Sequence, residues 1–350
     1  MDSEGIAFAS LGFLVLDEIR FRSQEPMVDI LGGSGSWATL GARLFCPPPQ
    51  SRSVAWPIHI GNDFPAAVMD RLDSWDISLA IERETDKPSL RGLLEYRDTT
   101  FGPKDFKYTT EVLAVEEEGL QRSPILASKV FHYLATGQVI QQRVSKILTL
   151  REKAGISGRP LIIWEPDPRQ CNPENLDSCL AAAACVDVIS PNHIELARLY
   201  GVPSDSAFDK TNIETFATKF LDNGIGLAGN GAIVVRSGEW GCHIKSRACS
   251  IWLPPFYEDT EGDQASKVVD PTGAGNIFLG GFAIGFLKTK SVSHAACYGS
   301  VAASFALEQV GMPRKSSMRN IEFWNGASVL DRLQEYLSRP SVSTALAHTS

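Results

Sequence analysis

The stretch Val268-Val-Asp-Pro-Thr-Gly-Ala-Gly-Asn276 places a carboxylate, a hydroxyl and two glycines within nine positions. Glycines at 273 and 275 let backbone N–H groups converge on one point. A short apolar strand ending at Asp270 and an apolar helix opening near Asn276 would add the partial positive charge of a helix N-terminus. Together they make an anion hole suited to phosphate or to a phosphoryl transition state. The plain alternative is a tight strand-to-helix turn with no ligand.

Other strand ends carry polar groups of the same kind. Asp187-Val-Ile-Ser-Pro-Asn192-His-Ile-Glu195 ends a strand and opens a helix, with Asn192 and Glu195 three residues apart. That spacing puts an amide and a carboxylate on one face of the first turn, where they could hold hydrated Mg²⁺ and phosphate. The same pair also reads as a capping box, which needs no ligand. Ser237-Gly-Glu-Trp-Gly241 is a further glycine turn after a strand, and Trp240 within it could stack on adenine. Near the start, Leu16-Asp17 ends the first strand, and Leu31-Gly-Gly-Ser-Gly-Ser-Trp-Ala38 opens a helix. Small polar ligands bind at such strand ends in open α/β sheets.

These segments need elements to position them. Ile6 to Leu16 reads as one buried strand, Val54 to Ile60 as a second, and Val130 to Ala135, Leu161 to Trp164 and Ala232 to Arg236 as later ones. Helical spacing occurs at Trp37 to Phe45, Phe64 to Trp75, Val139 to Ala154, Asn276 to Lys288 and His294 to Val310. Strands alternating with helices predict a doubly wound α/β fold, with a mostly parallel sheet and helices on both faces. Glu82 to Leu113 breaks that alternation. It is rich in Thr, Tyr, Phe, Arg and Asp and reads as short hairpin strands over the crevice. The expected domain spans residues 1–337, with lid strands inserted at about 17–31 and 82–113. The Ser-, Thr- and Ala-rich stretch 338–350 is expected to be a disordered tail.

Composition narrows the classes. The 350 residues hold 41 acidic against 33 basic side chains, a net charge of −8 with no basic block, which argues against a nucleic-acid partner. Ile277 to Leu287, the best apolar run, contains three glycines and is half the length of a membrane span. Seven scattered cysteines without a CxxC pair fit a reducing compartment and no zinc site. A cytoplasmic protein is expected, with nuclear entry left open. The histidines stand singly, without metal-ligand spacing. Neither GxSxG nor GxxxxGK[ST] occurs.

Taken together, the chain resembles the ribokinase-like (pfkB) family of carbohydrate and nucleoside kinases, from about Ile6 to about Pro313. The residues that carry the resemblance are Gly32-Gly33, Ile60-Gly-Asn-Asp63, the stretch ending at Glu195, Ser237 to Gly241 and Asp270 to Asn276. The resemblance implies ATP and Mg²⁺ beside a sugar or nucleoside, under a small β-sheet lid. Separately, the edges of such a half-exposed sheet could pair with another copy in a homodimer. Position by position it puts Asp17, Gly32 and Gly33 on the substrate, with Ser36 where many sugar kinases have Asn. Asn192 and Glu195 would organise the phosphates and, through water, the metal. Thr272, Gly273, Ala274 and Gly275 would form the anion hole, and Ser237, Gly238 and Gly241 would line the nucleotide site. Trp164-Glu-Pro-Asp-Pro-Arg169 departs from the family's Asp-Pro-Asn-x-Arg region at Glu165 and Asp167.

The departure with most consequence is Asn276, where the family has an Asp that takes the proton of the attacking hydroxyl. An amide accepts hydrogen bonds but holds no proton near neutral pH. Losing a general base costs about 10²–10⁴-fold in rate, although phosphoryl transfer leans mainly on positioning and charge stabilisation. Asn there, with Pro after Asp270, is similar to the fungal "maintenance of killer" subgroup. A slow kinase, a pseudokinase that keeps ligand binding for regulation or scaffolding, and a dinucleotide-dependent oxidoreductase are the three readings. The last rests on the Rossmann-like spacing of Gly33-Ser-Gly-Ser-Trp-Ala38, but the ribose-binding acid expected roughly 20 residues on is missing.

Overall fold

The computed structural model describes residues 5–22, 24–97, 101, 104–258, 267–319 and 321–347. In chain order the strands are β1 (Phe8–Ser10), β2 (Val15–Arg20), β3 (Met27–Gly32), β4 (Val54–Ile60), β5 (Ser78–Arg83), β6 (Arg91–Tyr96) and β7 (Lys104–Tyr108). Then come β8 (Val130–Ala135), β9 (Leu161–Pro166), β10 (Val188–Ile189), β11 (Ala232–Arg236), β12 (Cys242–Ser246) and β13 (Ser250–Leu253). A late hairpin adds β14 (Lys315–Met318) and β15 (Ile321–Trp324). The helices are α1 (Ser34–Leu44), α2 (Ala66–Asp73), α3 (Gly137–Lys153), α4 (Leu176–Ala183) and α5 (His193–Leu199). They continue with α6 (Lys210–Asn223), α7 (Ala274–Thr289), α8 (Val292–Leu307), α9 (Val329–Ser338) and α10 (Pro340–Ala347).

Among the described residues, nine strands form the main sheet in the order β13-β12-β11-β10-β9-β8-β1-β4-β5. Strands β11 through β5 in that order run parallel, and β12 and β13 are antiparallel additions at one edge. Period-two alternation then decides which face each side chain meets. Val54, Trp56, Ile58 and Ile60 of β4 pack with α1, α7 and α8. Phe131, Tyr133 and Ala135 of β8 pack on the other face with α3, α4 and α6. This is the doubly wound arrangement expected.

Four strands leave that sheet and make the lid, in the order β3-β2-β6-β7. Ile19, Phe21, Leu94 and Tyr96 give it a small core of its own. The apolar run Ile6 to Leu16 is therefore two strands and not one: the chain leaves the main sheet after Ser10 and enters the lid at Val15. Both halves are buried, so hydropathy alone cannot show the break. The hairpin region begins later than expected, because Ser78–Arg83 extends the main sheet beside β4. Residues 98–100 and 102–103 of that region lie outside the described residues. No strand precedes Asp270 in the described structure: Val268 and Val269 are each more than 40% exposed, and Val269 N–H donates to the Leu307 carbonyl at 2.6 Å. An apolar run forms a strand only beside a free sheet edge, and none reaches this segment.

The tail also departs from expectation. Residues 340–347 form α10, with Val342 fully buried, and Arg339 Nη1 donates to the Phe256 carbonyl at 2.6 Å; residues 348–350 lie outside the described residues. One close contact matters for everything downstream. A side chain at Gly41 would strike the Ile277 carbonyl, and one at Gly280 the Ala38 carbonyl. Bare glycines thus let α7 lie directly on α1, which sets where its N-terminus points.

Candidate active site

Strand β1 sits between β4 and β8, and the chain winds outward from it in opposite directions. At such a switch point the loops part at the carboxyl ends of the strands, leaving a crevice. The ends of β9 and β11 carry Glu165 and Arg236, while α7 brings its N-terminus to the same place. The lid strands carry Asp17 and Lys104 to the turn before α7.

Gly273 caps α7 in the left-handed region at φ 79°, with the Trp37 ring filling the space where a side chain would project. Thr272 N–H donates to Asp270 Oδ1 at 2.9 Å, which tightens the turn. Residues Thr272 to Asn276 are all half-buried, so the bend keeps part of its surface accessible. A side chain at Gly275 would collide with Arg236 Nη1. A guanidinium therefore lies against the glycine turn, and its charge adds to that of the helix end.

Arg236 also joins the two acidic groups of the crevice floor. Its Nη1 lies 2.7 Å from Glu165 Oε1, and its Nη2 lies 3.7 Å from Glu195 Oε2 and donates to the Ser190 carbonyl at 2.8 Å. Burial works to raise the Glu165 carboxyl, but Arg236 and His132 outweigh it and hold the group below its ordinary value. His132 Nε2 stands 3.6 Å from Glu165 Oε2, with its Nδ1 at 3.0 Å from the Ser10 hydroxyl. Asn276 Nδ2 donates to the same Glu165 Oε2 at 2.5 Å.

The pair Asn192 and Glu195 forms the capping box in full. Glu195 N–H donates to Asn192 Oδ1 at 2.8 Å, and Asn192 N–H donates back to Glu195 Oε2 at 2.7 Å. Asn192 Nδ2 donates to the other carboxylate oxygen at 2.7 Å. Burial pushes Glu195 up to about 7, against the pull of Arg236. Each oxygen already accepts one hydrogen bond, so the group fits a hydrated cation only through that cation's water. Among the described residues, the one cluster of three potential metal-ligating side chains is Glu116, Glu117 and Glu118, remote in sequence from every one of these residues.

Above the turn, the lid supplies a second cation. Lys104 Nζ bonds the Thr272 hydroxyl and lies 2.8 Å from the Tyr96 hydroxyl, which is itself 3.1 Å from Thr272 Oγ1. Burial lowers the Lys104 ammonium while Asp270 and Asp17 work to raise it. Asp17 is 7% exposed, and burial lifts it to about 7 although Lys104 opposes the shift. Its Oδ1 is buried without a hydrogen-bond partner, as a group awaiting a ligand hydroxyl would be. Its carboxylate rests against Gly32, where a side chain would collide with it. Gly33 then caps α1.

Two expected contacts turn inward. Ser36 is fully buried and donates to the Gly32 carbonyl at 2.5 Å, and Ser237 is also fully buried. Gly238 and Gly241 form the tight turn after β11, closed by Ser237 N–H to the Gly241 carbonyl at 2.7 Å. Trp240 stacks on Phe208 with centroids 4.1 Å apart. Arg236 and Lys104 were invisible as site residues in the sequence, and Glu165 showed only as a departure from a motif. A charge ending the apolar run Ala232 to Val235 was the one signal for Arg236.

The comparisons with known proteins agree with the fold and the order of the motifs. The family model described as pfkB family carbohydrate kinase matches residues 31–317. An uncharacterised protein of Schizosaccharomyces pombe is 30% identical over 344 residues, covering 95% of this chain and 93% of its own. Protein MAK32 of Saccharomyces cerevisiae is 28% identical over 342 residues, covering 94% and 91%. The structure of Arabidopsis thaliana ribokinase complexed with ribose and ATP superposes with a TM-score of 0.64 at 17% identity, covering 96% of this chain and 99% of that one. Motif order, sheet topology and relatives thus converge, and the chain belongs to the pfkB family of carbohydrate kinases.

Proposed function

We propose that this protein transfers the γ-phosphoryl group of ATP to a hydroxyl of a sugar or nucleoside-like small molecule. The observation that carries the reading is the half-buried glycine turn at the start of α7, flanked by Arg236 on one side and Lys104 on the other. A turn of backbone amides between two fixed cations suits a phosphoryl group whose equatorial oxygens carry the charge of the transition state. The acceptor would lie under the lid, with its hydroxyls on Asp17. The nucleotide would lie along Gly238 and Gly241, its phosphates between the turn and Asn192. A ribokinase of the same fold is complexed with ribose and ATP, which supports this assignment of ligands. Mg²⁺, when bound to the nucleotide's phosphates, offsets their charge, and Glu195 would meet it through water.

In the reaction the acceptor oxygen forms a bond to Pγ as the bond from Pγ to the bridging oxygen of ADP breaks. The acceptor's proton goes to solvent water. Asn276 accepts a hydrogen bond from the attacking hydroxyl without taking its proton, so turnover is slow. One observation favours a second reading, a pseudokinase: the nearest carboxylate, Glu165, is buried and held ionised by Arg236, which makes it a poor proton acceptor. We place the protein in the cytoplasm, in keeping with seven scattered cysteines that form no CxxC pair. Among the described residues no helix is long and apolar enough to cross a membrane. Among the described residues the outer lid strands β3 and β7 each have an open edge, and pairing of two copies there would be seen as a dimer in sedimentation.

The test is a thermal-shift screen of ATP·Mg²⁺ with sugars and nucleosides, followed by measurement of ADP release with every acceptor that binds. ATP at about 100 times its Kd should stabilise the fold by about 2.7 kcal/mol. Gly275→Val, which drives a side chain into Arg236, should abolish both the stabilisation and the ADP release. ATP stabilisation with no ADP release from any acceptor would favour the pseudokinase. No stabilisation by ATP at all would end both readings.

A further inference from the structure

Glu165 and Asn276 form one unit. Asn276 is the third residue of α7, so its side chain leaves the first turn of the helix beside the glycine bend. Its Nδ2 lies 2.5 Å from Glu165 Oε2. An ionised carboxylate only accepts hydrogen bonds, which dictates that the amide turns its NH₂ toward Glu165 and leaves Oδ1 on the other side. The titratable and charged groups around this pair come from three elements: His132 from β8, Glu195 from α5 and Arg236 from β11. Arg236 is the one permanent cation among them, and it already serves two carboxylates.

We propose that Glu165 is the positioning residue for Asn276, holding the amide so that Oδ1 faces the acceptor hydroxyl, and that carboxylate and amide function as an inseparable pair. The proposal rests on the phosphotransferase reading for its chemistry but on the geometry of the two side chains for its existence. A second carboxylate at 276 would meet an ionised carboxylate in a buried site with no added cation. Two such groups share a proton instead of ionising independently. A proton acceptor at 276 therefore requires that the charge at 165 be removed at the same time. With the two groups exchanged, the amide at position 165 would donate to the carboxylate at position 276. That carboxylate would take the acceptor's proton as the new O–P bond forms.

Three variants of the full chain test this: Asn276→Asp, Glu165→Gln and the double exchange. Thermal midpoints are compared with the parent protein at pH 5 and pH 8. Asn276→Asp should fall further below the parent at pH 8 than at pH 5, because a raised carboxyl costs stability increasingly as pH climbs from its unfolded value toward its folded one. The double exchange, which restores one carboxylate and one amide, should show no such pH-dependent gap. With an acceptor that gives ADP release, the double exchange should exceed Asn276→Asp by about tenfold or more, with a rate that rises through a single ionisation. Asn276→Asp melting in parallel with the parent at both pH values would overturn the pairing, as would a double exchange less stable at pH 8 than Asn276→Asp alone. If the stability pattern holds while no variant releases ADP with any acceptor, the pairing stands and the kinase reading falls.

Discussion

Asp17 shows what burial does to a single carboxylate. Held away from water beside Gly32, it reaches about 7, and one of its oxygens has no partner. A carboxyl raised above its unfolded value opposes folding as it ionises, so its effect is absent in acid and grows as pH rises toward about 7. Glu195, also raised to about 7, acts in the same direction. Glu165, held low, acts oppositely: its stabilisation is present above the ordinary carboxylate range and is lost as pH falls below it. Asp17→Asn should therefore reduce the fall in melting temperature between pH 5 and pH 8. Calorimetry at the two pH values checks this, and a fall undiminished in the variant would show that Asp17 is not the titrating group. The same variant should lose stabilisation by the acceptor while keeping that by ATP.

At the scale of elements, the lid and α7 meet through Lys104. The lid's own core is four buried side chains, too little to order it without help from the main domain. Lys104 bonding to Thr272 supplies that help and sets the height of the lid over the glycine turn. Lys104→Met should speed hydrogen exchange in β6 and β7 while leaving β8 and β9 protected. The KM for the acceptor should rise by about tenfold, as expected for one charge-assisted hydrogen bond. Unchanged exchange in the lid strands would mean that the contact does not hold them. On the opposite side of the turn, α7 reaches its position because Gly41 and Gly280 let it touch α1. The position of the glycine turn is thus a product of helix packing as much as of its own motif.

The molecule as a whole is closed at its end by α9 and α10. Tyr336 is fully buried and donates to the Pro254 carbonyl at 2.5 Å, with Val342 fully buried close by in sequence. Composition suggested a frayed tail because residues 338–350 are rich in Ser, Thr and Ala. Tertiary packing overrode that weak propensity, as it does for most short helices. Deleting residues from Arg339 onward should lower stability by about 2–4 kcal/mol, the scale of one or two buried apolar side chains. Denaturant unfolding measures this, and an unchanged midpoint would show that the helix contributes nothing.

Much of the molecule was legible in the chain alone. Val54–Ile60, Val130–Ala135 and Ala232–Arg236 match the strands read from hydropathy, since buried parallel strands are continuous apolar runs. The glycine turn and its place at a helix start were legible too, because backbone freedom and helix onset are local properties. The break within Ile6 to Leu16 was not, because both halves are buried in different sheets. Nor was the convergence of Arg236, Glu165 and Lys104 on that turn. They come from β11, β9 and β7, and a charge that ends one strand carries no local sign of the charge that ends another. Local sequence determined several of the buried parallel strands, the helix starts and the glycine bend. Only the packing of sheet, lid and α7 decided which cations flank that bend and which carboxylate holds Asn276. Those contacts join residues far apart in the chain, 168 positions for Lys104 and Thr272 and 111 for Glu165 and Asn276.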